Sequence, residues 1–291
     1  MRRVFDAGFS RRKLLAAGVT LAAGLVTTGC GAAQGNSSTQ PIGSAPKQGL
    51  PLGGVQPQQV ANPSAAVAAR YAGQQPTQWG MDLPGIITSI PADGKKMALT
   101  FDACGGPDNN EINEELLSFL RAQQIPATLF LNKRWIDADP ARAARLAADP
   151  LFELANHGTR HCPLSVNGHA AYGIAGTDSP QQAVDEVWGN HETLTGLLGH
   201  PPRFFRTGTA HYDEIAVAIV RELGEQPVGF SINADAGATY SAAQVRQAMS
   251  AAHPGAITIG HMHRPKSGTA EGMSAVLPRL RAQGYEFVKL P

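Results

Sequence analysis

His157 and His161 stand four residues apart in the stretch ELANHGTRHCPL at 153–164, directly after a short apolar run. Neutral imidazoles are common metal ligands, and two at this spacing can converge on one divalent cation. A chain with nine histidines shows such a spacing by chance as well, so the pair needs company. That company stands at the ends of other apolar runs. Asp102 follows KMALTF, Arg206 closes RFFR, Asp235 follows SINA and His261 closes ITIG. An Asp, two His, an Arg, a second Asp and a third His thus fall together at the ends of apolar runs, types that can bind a cation and carry protons.

The elements that must position these residues alternate in type. Lys96–Phe101, Ala127–Leu131, Leu151–Ala155, Arg203–Arg206, Pro227–Ile232, Ala256–Gly260 and Tyr285–Leu290 read as seven short strands. Between them, helical spacing of apolar residues predicts helices over Glu111–Gln123, Pro140–Ala148, from Pro180 to about Leu198, and over Tyr212–Leu223, Ser241–Ala252 and Thr269–Ala282. Strand–helix alternation predicts an α/β fold with a parallel sheet, as a closed barrel or an open doubly wound sheet. Both architectures bind ligands beyond the carboxyl ends of their strands, where the candidates above fall.

The chain has 291 residues and a net charge of +1, without the basic excess of a nucleic-acid partner. Residues 1–30 have a basic start and an apolar run from Leu14 to Val26, the pattern of a secretory signal. Ser10-Arg11-Arg12-Lys13-Leu14-Leu15 resembles a twin-arginine signal. Thr27-Thr28-Gly29-Cys30 resembles a lipobox, with Thr27 where a Leu is usual. Cys30 would then carry the lipid that anchors a cell-envelope lipoprotein to its membrane, and a plain cut nearby would leave a secreted protein. Residues 31–75, rich in Gly, Ser, Gln, Pro and Ala, read as a disordered linker with a helical turn near Ala65–Tyr71. Residues 76–291 are the expected catalytic domain, acting as a monomer.

Residues from about 79 to 291 resemble the polysaccharide deacetylase family of carbohydrate esterases, the NodB homology domain. Five motifs carry the resemblance. Thr100-Phe101-Asp102-Ala103-Cys104-Gly105-Gly106 is similar to TFDDG, and His157-Gly158-Thr159-Arg160-His161 to H(S/T)xxH. Phe205-Arg206-Thr207-Gly208 is similar to the RxPY region, Ser231–Asp235 to the Asp-bearing strand end, and Ile257–His261 to the strand ending in His. IPATLF at 125–130 also resembles the family's second strand. The resemblance implies a distorted seven-stranded (β/α) barrel that uses a divalent metal to remove acetyl groups from sugars. Zn²⁺ is the expected ion, with Co²⁺ or a similar ion as the alternative. It further implies His157 and His161 as ligands, Asp102 as general base and His261 as general acid. Asp235 would orient His261, and Arg206 would pair with Asp102.

Departures from the pattern pose the questions for the structure. Where the family has a ligating Asp, this chain has Ala103. Asp108 swinging in as third metal ligand is one repair. Asp102 ligating directly, a Cys104 thiolate, or weak or absent metal binding are the others. Gly158 replaces the second-motif hydroxyl, and Gly208-Thr209 replaces Pro-Tyr. Cys104 and Cys162 follow two motifs that would approach one metal, which implies a Cys104–Cys162 disulfide in an exported protein. His263-Arg264-Pro265-Lys266 would set cations near the mouth of the site. The expected function is an exported, metal-dependent hydrolase deacetylating N- or O-acetylated polysaccharide of the cell envelope. A catalytically weakened, polysaccharide-binding lipoprotein on the same scaffold is the alternative, and a metal hydrolase of a small amide or ester is a third reading.

Overall fold

The structure, a computed structural model, describes residues 63–291. The signal peptide, Cys30 and most of the expected linker lie outside the described residues. The end of that linker is part of the fold. Pro63–Arg70 forms helix α1, which buries Val67 and Ala68 against two later helices. The folded region thus reaches upstream of residue 76, because a short Ala/Val face suffices to dock a helix once a partner surface exists.

The remaining elements follow in chain order: β1 (Trp79–Gly80), β2 (Lys96–Ala103), α2 (Glu114–Ala122), β3 (Ala127–Leu131), α3 (Lys133–Ala138), α4 (Pro140–Ala147), β4 (Phe152–Asn156), α5 (Pro180–Leu198), β5 (Phe204–Phe205), β6 (Tyr212–Asp213), α6 (Glu214–Glu222), β7 (Gln226–Pro227), β8 (Ile232–Asn233), α7 (Ala242–Met249), β9 (Ile257–His261), α8 (Thr269–Ala282) and β10 (Glu286–Val288). Most helices start on a side-chain cap. Asn113, Asp139, Ser179, Asp213 and Ser241 each accept a bond from an early helical N–H. The helix expected from Tyr212 starts two residues later, because Tyr212 and Asp213 pair with β1 and Asp213 becomes the cap.

One parallel sheet runs β7-β5-β4-β3-β2-β9-β8, with β10 also paired to β2. The strand expected over 227–232 is interrupted. Its first part pairs with β5 and its second with β9. The segment around 86–90 crosses the interruption, bridging Ile87 to Val228 and Ser89 to Ala256. A Cβ on Gly229 would lie 3.0 Å from Thr88 Cγ2, so glycine lets that segment lie close. Counting β7 and β8 as halves of one strand, the result is a distorted seven-stranded (β/α) barrel.

Strand alternation divides the packing. Met97, Leu99, Phe101 and Ala103 of β2 face outward, in one cluster with Leu116, Leu117 and Leu120 of α2 and Met273 and Leu277 of α8. Ala98 faces inward with Phe130, Ala155, Phe204 and Ile257. Both faces of the central strands are covered, which is why they read as unbroken apolar runs. Inward positions of β2 become polar toward its carboxyl end, at Thr100 and Asp102, and both stay buried. Among the described residues no helix is long and apolar enough to cross a membrane.

Candidate active site

The carboxyl ends of β2, β4, β5 and β9 bring Asp102, His157, Arg206 and His261 together. Register alone sets Asp102 opposite His261 across β2 and β9. Arg206 is fully buried, and its charge is paired. Its guanidinium donates to Asp102 Oδ1 at 2.8 Å, Thr100 Oγ1 at 2.8 Å and the carbonyls of Val228 and Gly229 at 3.3 and 2.9 Å. Its flat face stacks over Phe130, 4.2 Å from the ring centre. A buried ion pair is tolerable only when the remaining donors are also satisfied, and here they are. Asp102 is therefore fixed through one oxygen, with Oδ2 turned toward His157 Nε2 at 3.6 Å.

Asp235 is equally well satisfied. Oδ1 meets His261 Nδ1 at 2.7 Å, and Oδ2 accepts from the His261 amide at 2.7 Å and the Thr269 hydroxyl at 2.8 Å. Burial works against ionising either group of the pair. The mutual charge and hydrogen bond outweigh it, holding Asp235 below the usual carboxylate range and His261 well above the usual imidazole range. The pair thus favours the protonated form of His261, oriented through Nδ1, with the Cys104 sulfur beside it.

His157 and His161 are held in the opposite state. Burial pushes both well below the usual imidazole range, and neighbouring positive groups push the same way. His157 is neutral despite its approach to Asp102. Its Nδ1 donates to the Arg206 carbonyl at 2.9 Å, which leaves Nε2 unprotonated, 3.8 Å from the Cys104 sulfur. The two rings meet edge to face at 4.9 Å. His161 Nε2 is buried without a hydrogen-bond partner. An unpaired buried atom calls for an explanation, and a bound ion is one. Donor atoms of His157, His161 and Cys104 all lie within 4.8 Å of one another. Neutral, oriented imidazoles with free nitrogens fit a divalent cation.

The loop carrying His161 rests on Glu186 of α5, which the motif reading did not single out. This buried carboxylate accepts from the amides of Arg160 at 2.9 Å, His161 at 2.9 Å and Cys162 at 3.4 Å. His161 itself is left-handed, with φ +67°. The departures at Gly158 and Gly208 have their reasons here. Gly158 has φ +80°, and a Cβ on it would lie 2.5 Å from Glu186 Oε1. A Cβ on Gly208 would lie 2.5 Å from His161 Cγ. Glu186 and Asn190 sit four apart on the same buried face of α5 as Ala183, Val187 and Leu194. Asn190 donates to Asn156 Oδ1 at 2.8 Å, which also accepts from the Gly158 amide at 2.9 Å. A Glu and an Asn inside an apolar stripe were the available sequence signal.

Three expectations are corrected. Asp108 is exposed, on a turn with φ +58°, and is not among the residues grouped with His157 and His161. Two glycines in the intervening loop lead the chain outward before 108 is reached. Cys104 and Cys162 are free and buried. The Cys104 thiol faces His157 and His261, whereas Cys162 lies against Glu186, so the sulfurs serve different surroundings. His263 is no cation at the mouth. It is 3% exposed, and burial together with the charge of His261 brings it down to about 4. Arg264 and Lys266 do line an open groove, which they share with Asp108 and Glu111.

Beside the histidine loop lies an aromatic cluster. Trp79 meets His169 at 5.0 Å and His211 at 5.7 Å, and Tyr172 meets His211 at 5.2 Å. Tyr172 is 76% exposed. The amide of Leu164, three residues after His161, donates to the His211 carbonyl at 3.0 Å, tying the cluster to the loop.

Fold and site together define a (β/α) barrel whose polar cluster lies at the carboxyl ends of the strands. The chain belongs to the polysaccharide deacetylase family, whose sequence model matches residues 89–228. It is 23% identical over 197 residues to the peptidoglycan-N-acetylglucosamine deacetylase PgdA of Listeria monocytogenes, covering 67% of this chain and 38% of that one. It is 23% identical over 177 residues to the protein YlxY of Bacillus subtilis, covering 60% of this chain and 51% of that one. The matches thus span about half or less of these curated relatives. Among solved structures, a CE4 family pseudoenzyme from Bacillus anthracis superposes with a TM-score of 0.60 at 21% identity, over 72% of this chain and 68% of that one. A family 4 acetyl xylan esterase from Clostridium thermocellum, in complex with a cobalt ion, gives 0.55 at 23% identity over 67% and 88%. Identities this low establish the shared fold.

Proposed function

We propose that this chain is an exported, metal-dependent deacetylase acting on acetylated sugar polymers of the cell envelope, with peptidoglycan the first substrate to test. The observation that carries the reading is the pairing of two histidines, one with Nε2 facing a thiol and the other with Nε2 unpartnered, against two hydrogen-bonded charge pairs, Asp102–Arg206 and Asp235–His261. His157 and His161 would hold the cation. A bound divalent metal supplies Lewis acidity and makes water a competent nucleophile near neutral pH. Asp102, immobilised by Arg206, takes the proton from the attacking water through the oxygen that faces His157. His261, kept protonated and aimed by Asp235, returns a proton to the leaving nitrogen or oxygen. The exposed rings of Tyr172 and its neighbours support a ligand with flat apolar faces, as sugar rings have. The signal-like residues 1–30 support export, and Cys30 supports a lipid anchor.

Ala103 and the pseudoenzyme among the structural neighbours favour a second reading, a polysaccharide-binding protein with little activity. Acetate release separates the two. The full chain, loaded with zinc or cobalt, is incubated with peptidoglycan and with N-acetylglucosamine oligomers. Acetate released by the parent and lost in His261→Ala supports the deacetylase. Retained sugar binding without acetate, from metal-loaded protein, overturns it in favour of the binding protein.

A further inference from the structure

In this chain the position that lacks a ligand, Ala103, faces away from the site. β2 stays paired to β3 through Ala103, which sits opposite Leu131. Alternation therefore sends residue 103 outward, into the apolar cluster with Trp135 and Leu131. The next residue returns to the face that carries Thr100 and Asp102. That residue is Cys104. Its Sγ lies 3.8 Å from His157 Nε2. Zn–S and Zn–N bonds of about 2.3 and 2.0–2.1 Å at a tetrahedral angle separate their donor atoms by roughly 3.6 Å, so this contact of thiol and imidazole is close to the spacing of two ligands of one ion. Gly105 then turns the chain away with φ +66°, and a Cβ there would lie 2.5 Å from the Trp135 amide nitrogen. The sulfur is thus pinned in place by backbone packing.

We infer that Cys104 supplies the third protein ligand, so that this site holds its cation with one thiolate and two imidazoles. The inference rests on the metal-dependent reading above and deepens it. On binding, the S–H bond breaks, a sulfur–metal bond forms, and one proton passes to solvent. A ring nitrogen of His161, within 4.8 Å of the other two donor atoms, completes the set. Asp102 remains bound to Arg206 and free for proton transfer. A thiolate in place of a carboxylate shifts preference toward thiophilic ions such as Zn²⁺ and Cd²⁺ and away from Mg²⁺ and Mn²⁺.

The test is spectroscopic. The full chain, reduced and stripped of metal, is titrated with Co²⁺ without oxygen, beside Cys104→Ser, Cys104→Asp and Cys162→Ser. The expected result is a sulfur-to-cobalt charge-transfer absorption in the near ultraviolet for the parent and Cys162→Ser. It should be absent from both Cys104 variants, and Cys104→Asp should still bind cobalt. Should the Cys104 variants fail to fold, X-ray absorption of the zinc-loaded parent decides, with a sulfur shell at about 2.3 Å expected beside nitrogen. Cobalt bound without the thiolate band, or zinc with only nitrogen and oxygen neighbours, overturns the thiolate ligand and leaves the metal-dependent reading standing. No binding by the parent sinks both. A thiolate band in protein that releases no acetate keeps the ligand and removes the activity.

Discussion

The two halves of the site differ in how their polar atoms are satisfied. In the acid–base half, Asp102, Arg206, Asp235 and His261 spend nearly all their hydrogen-bonding capacity on one another, on backbone and on Thr100 and Thr269. In the other half, His157 Nε2 touches only distant neighbours, and His161 Nε2 has no partner. The His161 side chain is half-buried, but its Nε2 is itself out of contact with solvent. Burial is costly to an unsatisfied polar atom, and proteins keep such atoms where something else completes them. The acid–base half is closed on itself, and the open half presents ring nitrogens and a thiol.

The sharpest way to separate the halves is to remove a proton carrier. His261→Ala or Asp102→Ala should lower acetate release by about 10²–10⁴-fold. Metal content, measured on the same samples, should stay at the parent level. If the metal leaves along with the activity, the two halves are not independent. Next in size is Arg206→Met. It leaves Asp102 buried and uncompensated, and unfolding in urea should show a loss of about 3–5 kcal/mol.

Glu186→Gln tests the open half from behind. The Gln keeps the volume but presents a weaker acceptor to the amides of Arg160, His161 and Cys162. Zinc affinity by competition with a chelator should fall about 10–100-fold, as for other groups that orient ligands. Unchanged affinity would reduce Glu186 to a packing role.

The smallest expected effect concerns the buried pair behind β4. Glu225 Oε1 meets His191 Nδ1 at 2.8 Å and accepts from Asn156 at 2.9 Å. Burial pushes its carboxyl up to about 7, against those two bonds. The folded state thus holds this proton more tightly than the unfolded chain does. The stability it contributes is complete below the ordinary carboxylate range and is lost as pH rises through about 7. Glu225→Gln should flatten the fall in stability over that interval, read as melting temperature against pH.

Much of the closed half was legible in the sequence, because each member ends an apolar run: Asp102, Arg206 and His261 are at or beside strand ends. The open half was legible in its histidines, with Asp108, Asp102 and a Cys104 thiolate left as alternatives for a third ligand. The parity of β2 turns residue 104 toward the site. Parity depends on where the strand stops, which pairing to β3 sets and local sequence does not. Glu186 was hidden for a similar reason. Its role depends on α5 passing behind a loop more than twenty residues upstream. The expected disulfide failed because two loops can approach one site while their sulfurs point to different partners.

The central claim is that the open half holds a metal. Metal per chain, measured by mass spectrometry on the purified full chain beside a His157→Ala/His161→Ala double variant shown to fold by circular dichroism, tests it most directly. The account predicts stoichiometric metal in the parent and none in the double variant. A parent that takes up neither zinc nor cobalt when both are supplied, or a folded double variant that keeps its metal, would contradict it.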